Sequence, residues 1–351
     1  VDNQTDLNRY LGNLFDEDRR THTCRAKTPD QVRAWQNAAR PRLRALLGLD
    51  RIADECAAHR VQAQLRDPED LGEYTRQQGL LHTEPGVAIS FWFLRPKANG
   101  PFPVALLPHG HEHNGMNTYV GIPNRPGDET RIVDEHRDVA VQAVRRGMLA
   151  LAPTTRGFFP AAVPDSTNRH SGQHCRCQAM HCLLAGRTAV GERVWDMMRF
   201  LDWIAARPDA DPERILVMGN SGGGMVTLYT AACDERVRVA VPSCSFCTIA
   251  GVDGALHHCD CNAIPGLLRF GEMSDVAGLI APRRLLAVNG STDPLFPLSE
   301  VDRAAEGVRR IYTAAGCPDH FEHRYGEGGH RFYSDIMWPF VESALGLTPR
   351  S

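Results

Sequence analysis

Gly219-Asn220-Ser221-Gly222-Gly223 sets a serine among glycines. The apolar run Arg214-Ile215-Leu216-Val217-Met218 precedes it, and Gly224-Met225-Val226-Thr227-Leu228-Tyr229-Thr230-Ala231-Ala232 follows. A short strand, G-x-S-x-G and a helix opening together describe a sharp, strained bend that presents the serine hydroxyl at its tip. Larger neighbouring side chains would clash there, which accounts for the glycines. The same pattern also fits a Gly-rich turn with an inert serine. A hydroxyl is a poor nucleophile near neutral pH. It needs a base within hydrogen-bond reach, and the base needs an acid to fix its tautomer.

Downstream of Ser221 the best acid is Asp293, in Asn289-Gly290-Ser291-Thr292-Asp293-Pro294, directly after a buried strand; Asp253 and Asp260 are rivals. The best base is His330, in Gly326-Glu327-Gly328-Gly329-His330-Arg331-Phe332, after the last strand, with His323 as its rival. Acyl transfer through a serine passes through a tetrahedral oxyanion, which backbone N–H groups stabilise. The amide of Gly222 is one expected donor, and the loop at Gly110, His111 or Glu112 supplies the second. Arg156, after Pro153-Thr154-Thr155, is placed to meet a substrate carboxylate or to hold a loop by bonding carbonyls. His109 and Glu112 complete the substrate-binding candidates. Asp196 and Arg199, three residues apart on one helix, are expected to brace a loop from below.

His109, His111 and His113, with Glu112 among them, also raise metal catalysis, but no matching carboxylate is identifiable. Two clusters, His174-Cys175, Cys177, His181-Cys182 and His257-His258-Cys259-Asp260-Cys261, suggest a structural metal more strongly. Neither has a standard zinc-finger spacing, and a disulfide or plain burial competes with the metal reading. No metal and no cofactor are assigned.

These groups must be held by a frame, and the pattern along the chain describes one. Residues 6–59 read as helical; Pro29-Asp30 is a good helix start, and Val32, Trp35, Ala39, Leu43 and Leu46 recur at helical spacing. Residues 79–83 and 87–94 form an expected hairpin. Apolar strands follow at 103–108, 148–153, 214–218, 237–242, 284–290 and 320–325, with helices at 138–147, 191–206, 224–232 and 301–315 between them; 154–173 is an irregular loop. Alternating elements with nearly continuous apolar strands mean a mostly parallel sheet covered by helices on both faces. Strand-end loops of such sheets are where ligands bind.

The chain has 351 residues, 42% of them hydrophobic, and a net charge of −3, which argues against a nucleic-acid partner. Its basic charge is nearly all arginine. No apolar stretch is long enough to cross a bilayer, so no membrane association is expected. Eleven cysteines, an odd number, lean toward a reducing compartment. A cytoplasmic location is therefore expected, or a periplasmic or secreted one if a leader preceded Val1.

With these motifs in place the chain resembles the α/β-hydrolase superfamily, and within it the dienelactone-hydrolase-like and acetyl xylan esterase-like bacterial esterases. The resemblance is carried by His109-Gly110, Arg156-Gly157, Asp196-Met197-Met198-Arg199, Gly219-Asn220-Ser221-Gly222-Gly223, Asp293-Pro294, Gly329-His330-Arg331-Phe332 and the segment 265–273, and covers roughly residues 80–345. It departs in Asn220 before the serine and in lacking an aspartate ahead of Arg156. The resemblance implies an α/β-hydrolase fold over residues 79–351 with a helical extension over 1–78. It implies Ser221 as nucleophile, Asp293 as acid and His330 as base in a serine carboxylesterase acting on small esters, with acetylated carbohydrate as the expected substrate. Methyl esters of uronic acids are the alternative. A peptidase would want a propeller or lid that the pattern does not offer. A catalytically dead binding protein would want a missing triad member. A homodimer is a further expectation.

Overall fold

The computed structural model describes residues 10, 14, 16–251 and 255–347. After a 3-10 turn at Glu17–Arg19, the chain enters helix α1, Pro29–Leu47. Thr28 caps this helix by accepting from the Gln31 N–H, Pro29 occupies its first turn, and Gly48 ends it in the left-handed region at φ 81°. Val32, Ala39, Leu43 and Leu47 form its buried stripe. Helix α2, Leu49–Glu55, follows. Polar side chains fasten the extension as well: Gln36 Nε2 donates to the carbonyl of Ala281 at 2.7 Å, and Arg40 reaches the carbonyls of Ala232 and Leu279.

The main body is a 10-stranded sheet in the order β1-β3-β4-β6-β5-β7-β8-β9-β10, with β2 paired to β3. The strands are β1 Gln62–Leu65, β2 Glu69–Asp70, β3 Tyr74–Glu84, β4 Val87–Pro96, β5 Phe102–Leu106, β6 Leu149–Pro153, β7 Ala210–Asn220, β8 Val239–Ser243, β9 Arg284–Gly290 and β10 Phe321–Gly326. From β6 through β10 the pairing is parallel. The hairpin β3–β4 and the edge strand β1 add an antiparallel flank. Residues 62–78, expected within the helical extension, thus belong to the sheet, which begins well ahead of residue 79. Their polar, Gln-rich, exposed-edge character carries no apolar alternation that would announce a strand.

The parallel strands are buried on both sides, and alternation sorts their residues between two cores. Ile215 and Val217 of β7, with Leu285 and Ala287 of β9, face one core; Leu216, Met218, Leu286 and Val288 face the other. The first core is closed by α1, α2 and five further helices. These are α7 Ala189–Ala205, α8 Gly222–Cys233, α9 Leu267–Phe270, α10 Met273–Gly278 and α11 Leu298–Ala314. The second is closed by α5 Val139–Arg145 and α12 Ser334–Leu345. Short helices α3 Met116–Tyr119 and α4 Asp128–Asp134 lie in the excursion after β5, α6 His174–Leu184 follows the 154–173 loop, and α9 Leu267–Phe270 precedes α10. No helix among the described residues is long and apolar enough to cross a membrane.

Candidate active site

Strand β7 ends at Asn220 and α8 begins at Gly222, so Ser221 is the whole of the turn between them. It holds φ 58°, ψ −124°, a region ordinary residues avoid. Its N–H bonds the Ser243 carbonyl at 2.9 Å, and its own carbonyl accepts from Met225, so the bend is tied on both sides. Close approach requires the glycines: a Cβ on Gly223 would lie 2.1 Å from the Pro108 carbonyl oxygen. The loop after β5 therefore packs directly on the bend.

Asp293 lies three residues past β9 and is buried, and His330 lies four residues past β10. Because β9 and β10 are parallel neighbours, both loops leave the same edge of the sheet. His330 Nδ1 and Asp293 Oδ2 are 2.7 Å apart. Burial pushes the Asp293 carboxyl up, but the bond to His330 and the Leu295 N–H outweigh it, and its pKa falls below the usual aspartate value. The His330 backbone is anchored as well, its carbonyl accepting from Arg137 at 3.1 Å. The ring faces Phe296 at 6.3 Å between centroids. Beneath the pair, the buried Cys244 donates its thiol to the carbonyl of Arg331.

Ser221 and His330 line a single cavity of about 60 Å³ together with Gly110, His111, Glu112, Tyr119, Arg131, Arg137 and Asn220. Among the described residues Ser221 Oγ has no hydrogen-bond partner; such contacts are commonly loose until substrate binds. A larger apolar hollow of about 440 Å³, lined by Ile249, Leu256, His258 and Leu267, touches none of Ser221, Asp293 and His330. Gly110 stands against the bend, since a Cβ there would lie 2.8 Å from the Gly222 nitrogen. The loop at Gly110 is thus packed against the backbone on either side of Ser221.

Three candidate substrate contacts find other roles. His109 is fully buried; its Nε2 accepts from the Thr155 N–H at 3.1 Å and its Nδ1 donates to the Gly110 carbonyl at 2.9 Å. Burial drives its pKa down to about 4, so the ring is a neutral strut between two loops rather than a substrate contact. Arg156 is enclosed by Asp196, at 2.6 and 2.7 Å, with Glu84 at 2.5 Å and Glu192 at 3.5 Å. Its charge is already matched by carboxylates, so of the two roles expected for it the loop-holding one stands, through carboxylates rather than carbonyls, and the substrate contact does not. Its partner Asp196 is the brace expected there, while Arg199 pairs with Asp202 and lies over Trp195. Glu112 does line the cavity, but as the partner of Arg131 at 2.5 Å and Arg137 at 3.3 Å.

Of the rivals, His323 packs on Tyr325 and meets Asn289, Asp260 pairs with Arg176, and Asp253 lies outside the described residues. Sequence reasoning passed over Tyr119, Arg131 and Arg137, which come from the irregular excursion after β5. The Tyr119 hydroxyl accepts from the Asn220 N–H at 3.3 Å, one residue before the serine. No local spacing distinguishes these three.

Residues 185–335, which contain Ser221, Asp293 and His330, match the model of the prolyl oligopeptidase family. Across the whole fold, the chain superimposes on a Bacteroides fragilis protein assigned as an acetyl xylan esterase with a TM-score of 0.76, at 18% identity, over 97% of this chain and 94% of that one. The chain has the α/β-hydrolase fold. The same fold relates the chain to methylesterase BT1017, with a TM-score of 0.66 at 21% identity over 99% of this chain and 72% of that one. It relates it also to a glucuronoyl esterase from Solibacter usitatus, at 0.65, 14% identity, 89% and 93%. In sequence the chain is 30% identical over 151 residues to YtaP of Bacillus subtilis, a protein assigned as a hydrolase. That match takes in 42% of this chain and spans about half the length of the curated relative, 50%.

Proposed function

We propose that the chain is a serine carboxylesterase that removes small ester groups, O-acetyl groups of carbohydrates first among them, through an acyl-enzyme. The observation that carries this reading is the shared cavity of Ser221 and His330, with Asp293 on the far nitrogen of the imidazole. In the reading, Ser221 Oγ attacks the ester carbonyl while His330 Nε2 takes its proton. Asp293 holds the Nδ1–H tautomer and stabilises the imidazolium. The oxyanion is met by the Gly222 amide and an amide of 110–111. His330 then protonates the leaving alkoxide, and a water activated by the same imidazole releases the acid.

Size supports a small ester group. The cavity that holds Ser221 and His330 is small, about 60 Å³, which favours an acetyl or methyl group over a long acyl chain. A second reading, a methylesterase of uronic acids, draws support from Arg131 and Arg137 in the cavity wall, where a neighbouring uronate carboxylate would share guanidinium groups that Glu112 and Glu135 already pair. The glycan-esterase names of the structural neighbours are consistent with both. Turnover of p-nitrophenyl acetate, lost in a folded Ser221→Ala variant, is the expected result; retained turnover in that variant would remove Ser221 as nucleophile. Acetate against methanol release from a panel of plant and algal polysaccharides then separates the two substrates.

A further inference from the structure

Ester hydrolysis at Ser221 uses none of the cysteines, yet three of them meet one histidine beside it. His111 comes from the loop after β5, Cys175 from the first turn of α6, and Cys259 and Cys261 from either side of Asp260. His111 Nε2 stands 3.2 Å from Cys175 Sγ and 3.7 Å from the Sγ of both Cys259 and Cys261. The four donor atoms all lie within 4.8 Å of one another. Zinc bonds of about 2.3 Å to sulfur and about 2.0–2.1 Å to nitrogen, at tetrahedral angles, put N···S edges at about 3.6 Å and S···S edges at about 3.8 Å. The observed N···S separations bracket that value.

Charge gives a second, independent pointer. Arg193 is wholly buried, with 0% exposure. Its guanidinium donates to the Arg156 carbonyl, Gln178 Oε1 and Asn262 Oδ1, and reaches Cys261 Sγ at 3.5 Å. Among the described residues no carboxylate pairs with it. A buried cation without an anion is strongly unfavourable. Three thiolates around a divalent ion carry one net negative charge, placed next to this guanidinium.

We propose that His111, Cys175, Cys259 and Cys261 bind a structural zinc ion. A Cys₃His set fills all four tetrahedral positions from the protein, which marks a closed, structural site rather than a catalytic one. Thiolate donors favour zinc over magnesium or calcium. Binding exchanges the thiol protons for the metal and releases them to solvent. The ion ties together three segments: the loop carrying the candidate oxyanion amides, the start of α6, and the turn at Asp260–Asn262. The Arg176–Asp260 ion pair, at 2.5 Å, already bridges the last two. Phe158 joins the cluster to the bend, packing on the His111 ring at 4.2 Å and standing where a Cβ on Gly222 would fall. The metal therefore holds the same loop that His109 braces.

The test is metal content, which does not depend on turnover of any ester. The full chain, purified under reducing conditions without added metal, should carry about one zinc per chain by plasma mass spectrometry. Cys175→Ser and Cys261→Ser should each reduce that to less than about a tenth. Because a ligand variant can fail to fold, the unaltered protein answers the same question. Exchange of zinc for cobalt(II) should produce the visible bands of a tetrahedral site and a near-ultraviolet thiolate-to-cobalt transition. Metal-free protein that stays folded and takes up neither zinc nor cobalt overturns the proposal. So does a disulfide between any two of Cys175, Cys259 and Cys261 in protein isolated without oxidant.

Discussion

Gly110→Ala probes the contact on which the candidate oxyanion site depends. A Cβ at residue 110 would lie 2.7 Å from the Asn220 carbonyl oxygen, 2.8 Å from the Gly222 nitrogen and 3.1 Å from Ser221 Cβ. A methyl group needs about 3.5 Å from each. The loop or the bend must therefore retreat by about 0.8 Å, and both are backbone, so no side-chain rotation relieves the clash. A displacement of that order costs about 100-fold when it misplaces reacting groups, and loss of one oxyanion donor costs about 10²–10³ in kcat. Overpacking itself costs about 1–3 kcal/mol, tolerable in a chain of this size. The variant should fold, melt roughly a few degrees lower, and lose about 100-fold in kcat on p-nitrophenyl acetate, with KM nearly unchanged. A folded Gly110→Ala protein with wild-type kcat would show that residues 110–111 take no part in holding the transition state.

Asp293→Asn should lower kcat about 10³–10⁴-fold while circular dichroism stays native, because the amide no longer enforces the Nδ1–H tautomer of His330; a loss under tenfold would point to another acid. Arg156→Met leaves the buried Asp196 without its cation, and Glu84 with Arg187 alone, and should cost about 3–5 kcal/mol in urea unfolding. Its KM, measured on folded protein at low temperature, should match the parent, whereas a selective rise in KM would restore Arg156 as a substrate contact. For Glu112, burial pushes the carboxyl up, but the Arg131 bond and the charges of Arg137 and Arg131 outweigh it and hold it below the ordinary glutamate range. A folded pKa below the unfolded one means that its stabilisation is complete above about pH 4.3 and fades as pH falls through the folded value. The stability gap between the parent and Glu112→Gln, from urea melts, should therefore narrow on acidification below about pH 4; a gap that widens there contradicts the ion-pair assignment.

The frame was legible because strands buried on both faces read as unbroken apolar runs, and Leu285-Leu286-Ala287-Val288 has no other comfortable fold. Ser221, Asp293 and His330 stood out for a related reason: each sits within a few residues of such a run, so strand position alone carried them to one edge. Elements without that signature were missed. Helix α6 spells His-Cys-Arg-Cys-Gln-Ala-Met-His-Cys-Leu-Leu, with no apolar stripe, and α12 carries Pro339 inside. At Arg156 strand position left two roles open, and the partners that decide between them, Asp196, Glu84 and Glu192, come from distant segments. The His/Cys clusters were visible as clusters and unreadable as a site. Their ligand set takes one residue from the first cluster, two from the second and His111 from the candidate oxyanion loop, and only tertiary structure brings together residues 111, 175, 259 and 261.

The most direct test of the central claim is to trap the nucleophile. A fluorophosphonate, which phosphonylates a serine activated by a neighbouring imidazole and loses fluoride, should inactivate the protein with about one adduct per chain. Peptide mapping should place that adduct on Ser221, and His330→Ala should slow its formation in parallel with ester turnover. An adduct on a different residue, or full esterase activity in protein whose Ser221 is blocked, would contradict the account.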